Sequence, residues 1–140
     1  MTTTFYFIRH GESLANAQNR LCGHADWDLT ERGAEQAKRT AQLFADIPVD
    51  VVLSSDLLRA YHTAEAVAKR KGLQVQTDPG FREIYVGHWE GQLETDVIAK
   101  EPELDRKQAM GIFVDEMNKK CRELNLVNTH FMNPDGIDAE

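Results

Sequence analysis

The sequence predicts an α/β fold built around a mostly parallel sheet. Three short apolar runs alternate with two stretches of helical periodicity, in the order strand, helix, strand, helix, strand. Gly11, Pro48, Gly72 and Pro79-Gly80 punctuate the boundaries between them.

Phe5-Tyr6-Phe7-Ile8 reads as a buried first strand, short, aromatic and β-branched, and closed by Gly11. Residues 14–28 are polar and irregular, a loop or a short helix. Thr30 is the predicted N-cap of a helix over 31–46, with Ala34, Ala37, Ala41 and Phe44 on one face and Pro48 as its stop. Residues 49–53, VDVVL, form a second buried strand running into Ser54-Ser55-Asp56. A helix over 57–71 carries Leu58, Tyr61, Ala64, Glu65 and Ala68 at spacings of three and four, and Gly72 stands at its end. Residues 73–77 alternate apolar and polar, as an edge strand does. Further on, Met110, Phe113, Val114, Met117, Cys121 and Leu124 mark one stripe of an amphipathic helix over 105–124. A polar, turn-rich tail covers 125–140. With 140 residues and no repeat or linker, one domain is expected: a catalytic portion over 1–91 and a helical cap or insertion over 92–140.

The 16 basic residues against 23 acidic give a net charge of −7, which argues against nucleic-acid or anionic-membrane surfaces. A small anion is still compatible with it, because a few convergent arginines make a local positive pocket. Cys22 and Cys121 stand far apart in no metal spacing, as in a reducing compartment. The start of the chain lacks the pattern of a signal peptide, and no run reaches membrane-span length, so a cytoplasmic protein is expected.

In open parallel sheets ligands bind beyond the carboxyl ends of the strands. Arg9-His10-Gly11, the stretch from Ser54 to Arg59, and Arg82-Glu83 all fall there. Two or more guanidinium forks around an imidazole suit a phosphate group. Neighbouring cations keep that imidazole neutral and nucleophilic, and a carboxyl group can protonate a leaving oxygen. These parts describe phosphoryl transfer through a phosphohistidine. His24, His62 and His88 show no metal-ligand spacing, and Cys22 with His24 is too little for a zinc site. A dinucleotide-binding fold is disfavoured because Gly11 stands alone after the first strand.

The stretch Phe7-Ile8-Arg9-His10-Gly11-Glu12-Ser13 resembles the signature of the histidine phosphatase superfamily, the phosphoglycerate mutase-like proteins. The likeness continues in order through Asn16, Arg20, Gly23, Leu29-Thr30, Gly33, Ser54-Ser55-Asp56, Arg59, Thr63-Ala64 and Arg82-Glu83 to Gly87, Trp89, Glu90 and Gly91. It implies a three-layer α/β/α fold and no metal or organic cofactor, since arginines supply the charge. By that resemblance His10 is the residue phosphorylated, Arg9 and Arg59 clamp the phosphoryl oxygens, and Glu83 protonates the leaving group. Asn16, Cys22 and Gly23 are the implied substrate-binding residues. The substrate class is a small-molecule phosphomonoester.

REIYVGHWEG is similar to the phosphatase branches, and Cys22 stands where mutases carry a hydroxyl residue, so hydrolysis is favoured over mutase-type transfer. A non-catalytic phosphate-ligand binder is the rival from another class. The family's second catalytic histidine, in a Ser-His-Gly context, has no counterpart; residues 131–140 resemble the stretch that precedes it. The expectation is therefore a fold incomplete at its C-terminal part. The missing strand would leave two unpaired edges or push the first two strands together, and the isolated chain would be weak or inactive. The sequence is silent on the particular substrate and on oligomeric state.

Overall fold

In a computed structural model of the chain, residues 2–100 are described, together with Asp115, Asn118, Lys119 and Arg122. Local capping decides where most elements begin. Ser13 and Asn16 bond reciprocally: the Asn16 amide donates to Ser13 Oγ at 3.2 Å, and the Ser13 amide donates to Asn16 Oδ1 at 3.0 Å. This box holds a single turn, α1 (Leu14–Ala17). Thr30 caps α2 (Glu31–Leu43) as expected, its hydroxyl accepting from the Gly33 amide at 3.0 Å. The helix stops three residues short of the predicted end. The Ala45 and Ile47 amides donate to Gln42 and Phe44 carbonyls in tight turns, and Phe44 folds inward. There it packs with Ala41 and Val67, flanked by Ile47, Val49, Val52 and Ala66. Burial of side chains such as Phe44 and Val67 contributes about 1.5–3 kcal/mol each.

The next strand, β1 (Val52–Ser54), pairs in parallel with β2 (Val75–Thr77), and Val52 lies opposite Val75. Between them runs α3 (Leu58–Lys71), whose first amide donates to Asp26 Oδ1 at 2.7 Å. Gly72, in the left-handed region at φ 67°, ends it. The Leu73 amide turns back to the Ala68 carbonyl at 2.9 Å. That bond keeps Leu73 in the helix cap, so β2 opens at Val75 rather than at the predicted residue 73. Single 3₁₀ turns at Pro79–Phe81 and Gly87–Trp89 lead to α4 (Glu94–Lys100).

The reading of residues 5–8 as a buried strand is corrected. Phe5, Tyr6, Phe7 and Ile8 are 72%, 53%, 94% and 43% exposed, and among the described residues this segment joins no ladder. An apolar run becomes a buried strand only where neighbouring strands accept its backbone and helices cover both faces. Among the described residues the ladder consists of β1 and β2, and the Tyr6 ring of the segment meets Phe44 nearly at right angles, with ring centroids 5.4 Å apart.

The chain divides into two compact units, Met1–Val97 and Ile98–Glu140. The predicted helix over 105–124 and the tail over 125–140 lie outside the described residues, except that Asp115, Asn118, Lys119 and Arg122 are helical and Asn118 is buried. Among the described residues no helix is long and apolar enough to cross a membrane.

Candidate active site

The segment carrying His10 is latched onto the helices by backbone contacts. The Gly11 amide donates to Thr63 Oγ1 at 3.0 Å, and that hydroxyl donates to the Arg59 carbonyl at 2.7 Å. Gly33 at the start of α2 lies directly against the same segment. A methyl group on Gly33 would sit 2.0 Å from the Glu12 carbonyl oxygen, so the chain passes only because both Gly11 and Gly33 lack side chains.

A cleft of about 210 Å³ opens there, lined by His10, Arg59, Arg82 and Glu83, with Leu57 and Phe81 as an apolar wall. A larger groove of about 610 Å³ runs along α2 and α3 over Ala34, Ala37 and Ala41, and none of the predicted site residues lines it. Its lining is that of a helix–helix seam, whereas the smaller cleft gathers a histidine, two arginines and a carboxylate. The smaller cleft is the candidate site.

His10 Nδ1 lies 2.7 Å from the Gly11 carbonyl oxygen. A carbonyl can only accept, so Nδ1 carries the proton and Nε2 keeps its lone pair. Burial, together with the Arg59 and Arg9 charges, holds the imidazole below its usual pKa, against the opposing pull of the Gly11 bond and Glu83. The lowered pKa favours the neutral ring, in which Nε2 carries the lone pair.

Arg59, on the first turn of α3, is only 4% exposed. It donates to the Gly23 carbonyl at 2.7 Å, the Ala25 carbonyl at 3.0 Å and Cys22 Sγ at 3.4 Å. Among the described residues these bonds occupy three of its five N–H donors. Cys22 in turn donates to the Ala25 carbonyl at 3.1 Å, and burial pushes its thiol pKa up, which makes it a poor nucleophile.

The 22–25 loop is held from its other side by Glu90. That carboxylate accepts from the amides of Gly23 at 3.1 Å, His24 at 2.8 Å, Ala25 at 2.9 Å and Val86 at 3.3 Å. Burial alone would raise its pKa, but these bonds outweigh it and keep the group below the ordinary carboxylate range. Gly23 is required by close approach: a methyl group there would lie 2.0 Å from the Ile84 carbonyl oxygen.

The remaining predicted residues are placed as follows. Arg9 is exposed; it acts on His10 through its charge and does not line the cleft. Glu83 lines the cleft, is exposed, and accepts from the Ile84 amide at 2.9 Å. Asn16 is exposed and its Oδ1 is committed to Ser13. Cys22 and Gly23 lie behind Arg59. Arg82, grouped in the sequence with the phosphate-binding cations, is paired in bidentate fashion with Asp56, its Nε donating to Oδ1 at 2.7 Å, which neutralises its charge. His62 Nδ1 contacts Asp28 Oδ1 at 2.6 Å, and that bond lowers the Asp28 pKa. Among the described residues, no three His, Cys, Asp or Glu side chains converge as metal ligands would. Sequence reasoning missed what Glu90, Thr63 and Asp26 do. All three act on backbone far away in the chain, and only the Trp89-Glu90-Gly91 and Thr63-Ala64 motifs hinted at two of them.

Among protein families, the model of the histidine phosphatase superfamily (branch 1) matches residues 5–117. An adenosylcobalamin/α-ribazole phosphatase of Escherichia coli is 40% identical over 98 residues, which cover 70% of this chain and 48% of that protein. A probable phosphoglycerate mutase of Erwinia tasmaniensis is 41% identical over 102 residues, 73% of this chain and 47% of its own. The solved structure of a mycobacterial glucosyl-3-phosphoglycerate phosphatase with VO3 superposes with a TM-score of 0.69 at 33% identity, covering 72% of this chain and 50% of that one. The chain spans about half the length of the relatives it matches.

Proposed function

Because the chain belongs to the histidine phosphatase superfamily, branch 1, we propose that it hydrolyses phosphomonoesters through a phosphohistidine on His10. The observation that carries this reading is the Nδ1–Gly11 hydrogen bond, which reserves Nε2 of a neutral ring beside the buried Arg59. The substrate's phosphoryl group lies against Arg59, with Arg9 adding positive charge. Nε2 attacks phosphorus, the bond to the ester oxygen breaks, and the Glu83 carboxyl gives its proton to the departing oxygen. Water then attacks the phosphohistidine while the Glu83 carboxylate takes up its proton. The P–N bond breaks, and orthophosphate leaves with the imidazole restored. Asn16, Cys22 and Gly23 do not line the cleft; Cys22 and Gly23 support the proposed binding surface through their bonds with Arg59.

The test is to expose the chain to a radiolabelled aryl phosphate and map the label. An acid-labile, base-stable adduct on His10 that disappears in His10→Ala is the expected result. An unlabelled wild-type chain, or a label that survives His10→Ala, overturns the reading. Release of the label as orthophosphate supports hydrolysis. Its return to a phosphoglycerate would favour the mutase alternative that the name of the Erwinia relative raises.

A further inference from the structure

One carboxylate, outside the cleft lining, bonds to backbone that touches two of the lining residues, Arg59 and Glu83. Glu90 receives the Gly23, His24 and Ala25 amides, so the three peptide units turn their N–H groups toward it. The Gly23 and Ala25 carbonyls of the same loop receive Arg59. The loop is therefore clamped between an anion and a cation, and the direction of the Arg59 guanidinium depends on where the loop lies. The same loop also reaches the backbone of Glu83. The His24 ring, tilted against Tyr85 with centroids 5.2 Å apart, donates from Nε2 to the Glu83 carbonyl at 2.9 Å. Glu90 also takes the Val86 amide, three residues beyond Glu83.

We propose that Glu90 is a positioning residue for both halves of the reaction, setting Arg59 through the Gly23 and Ala25 carbonyls and Glu83 through His24 and Val86. The proposal rests on the phosphohistidine reading above. A carboxylate suits this task because it offers about four acceptor sites and no donor, so several amides can converge on it. Charge-assisted bonds of this kind are roughly twice as strong as neutral ones. Glutamine keeps one acceptor oxygen and places an NH₂ group against amides that can only donate. The loop then has to move away from it, and the Arg59 carbonyl partners move with the loop.

The experiment compares wild type, Glu90→Gln and Glu90→Asp. Orthophosphate affinity by calorimetry reads Arg59. The dependence of the phosphorylation rate on leaving-group pKa, across a series of aryl phosphates, reads Glu83. The amide proton shifts of Gly23, His24, Ala25 and Val86 read the loop itself. In wild type those four shifts are expected to titrate together with the Glu90 carboxyl, which its amide bonds hold below the ordinary carboxylate range. Glu90→Gln is expected to abolish that shared titration, to weaken orthophosphate binding by about tenfold, and to steepen the leaving-group dependence. Glu90→Asp recovers part of each effect. A variant that is only less stable would lower the folded fraction without changing the leaving-group slope.

An orthophosphate affinity and a slope unchanged in Glu90→Gln would overturn the positioning role and leave the phosphohistidine reading intact. Wild type that binds no orthophosphate through Arg59 would instead overturn the reading and, with it, this inference.

Discussion

Replacing Thr63 by valine tests how the nucleophile is held. Valine keeps the shape and removes one oxygen, and at 4% exposure no water can take that oxygen's place. Two bonds vanish: the one from the Gly11 amide at 3.0 Å, and the one to the Arg59 carbonyl at 2.7 Å. A buried amide left without a partner costs about 1–3 kcal/mol, and losing the hydroxyl's own bond about 0.5–1.5 kcal/mol more. The expected loss is therefore about 1.5–4.5 kcal/mol. For a domain of this size, roughly 3–4 °C per kcal/mol turns this into a Tm drop of roughly 5–18 °C. Thr63→Ser is the control: it keeps both bonds and gives up one methyl group, about 0.8 kcal/mol. Urea titration measures both variants, and nitrogen-15 shifts of His10 report whether Nδ1 still carries the proton. With Gly11 unlatched, the valine variant should show a mixture of tautomers. A valine variant within about 0.5 kcal/mol of wild type, the usual range for surface changes, would refute the latch. So would a serine variant as unstable as the valine one.

Phe7→Ser separates the exposed segment from the buried strand expected of it. At 94% exposure the change should alter stability by no more than about 0.5 kcal/mol, whereas truncating a buried phenylalanine costs about 3–5 kcal/mol; a loss in the larger range, seen in the same urea titration, would return residues 5–8 to the core. The His10 ring should titrate below 6.5 when followed by proton NMR, because burial and the Arg59 and Arg9 charges disfavour the imidazolium. Between that lowered value and 6.5 the unfolded chain binds more protons than the folded one. The stability tied to the neutral ring is thus fully present above pH 6.5 and is lost as the pH falls from there through the folded-state value. A midpoint at or above 6.5 would contradict the placement of His10 among these groups.

Much of the site was legible in the chain because the rule behind it is topological. His10, Arg59 and Glu83 each follow a predicted strand, and all three line one cleft. The same rule placed Arg82 with them, and it does line the cleft, but the rule could not tell that Asp56 would occupy its guanidinium. Arg59 was read as a phosphate clamp. The structure adds that three of its donors serve the 22–25 loop, so the arginine is a structural cation whatever it binds.

By itself the sequence determined what contacts within about four residues decide: the Thr30 cap, the two long helices and the Gly72 stop. Only the tertiary structure decided whether residues 5–8 are covered, which charges are already paired, and what Glu90 does for residues 65 to 67 positions away. Capping and periodicity repeat at fixed spacings that can be read along a chain. The burial of a strand and the partner of a charge depend on which distant backbone arrives beside it, and no spacing in the sequence records that.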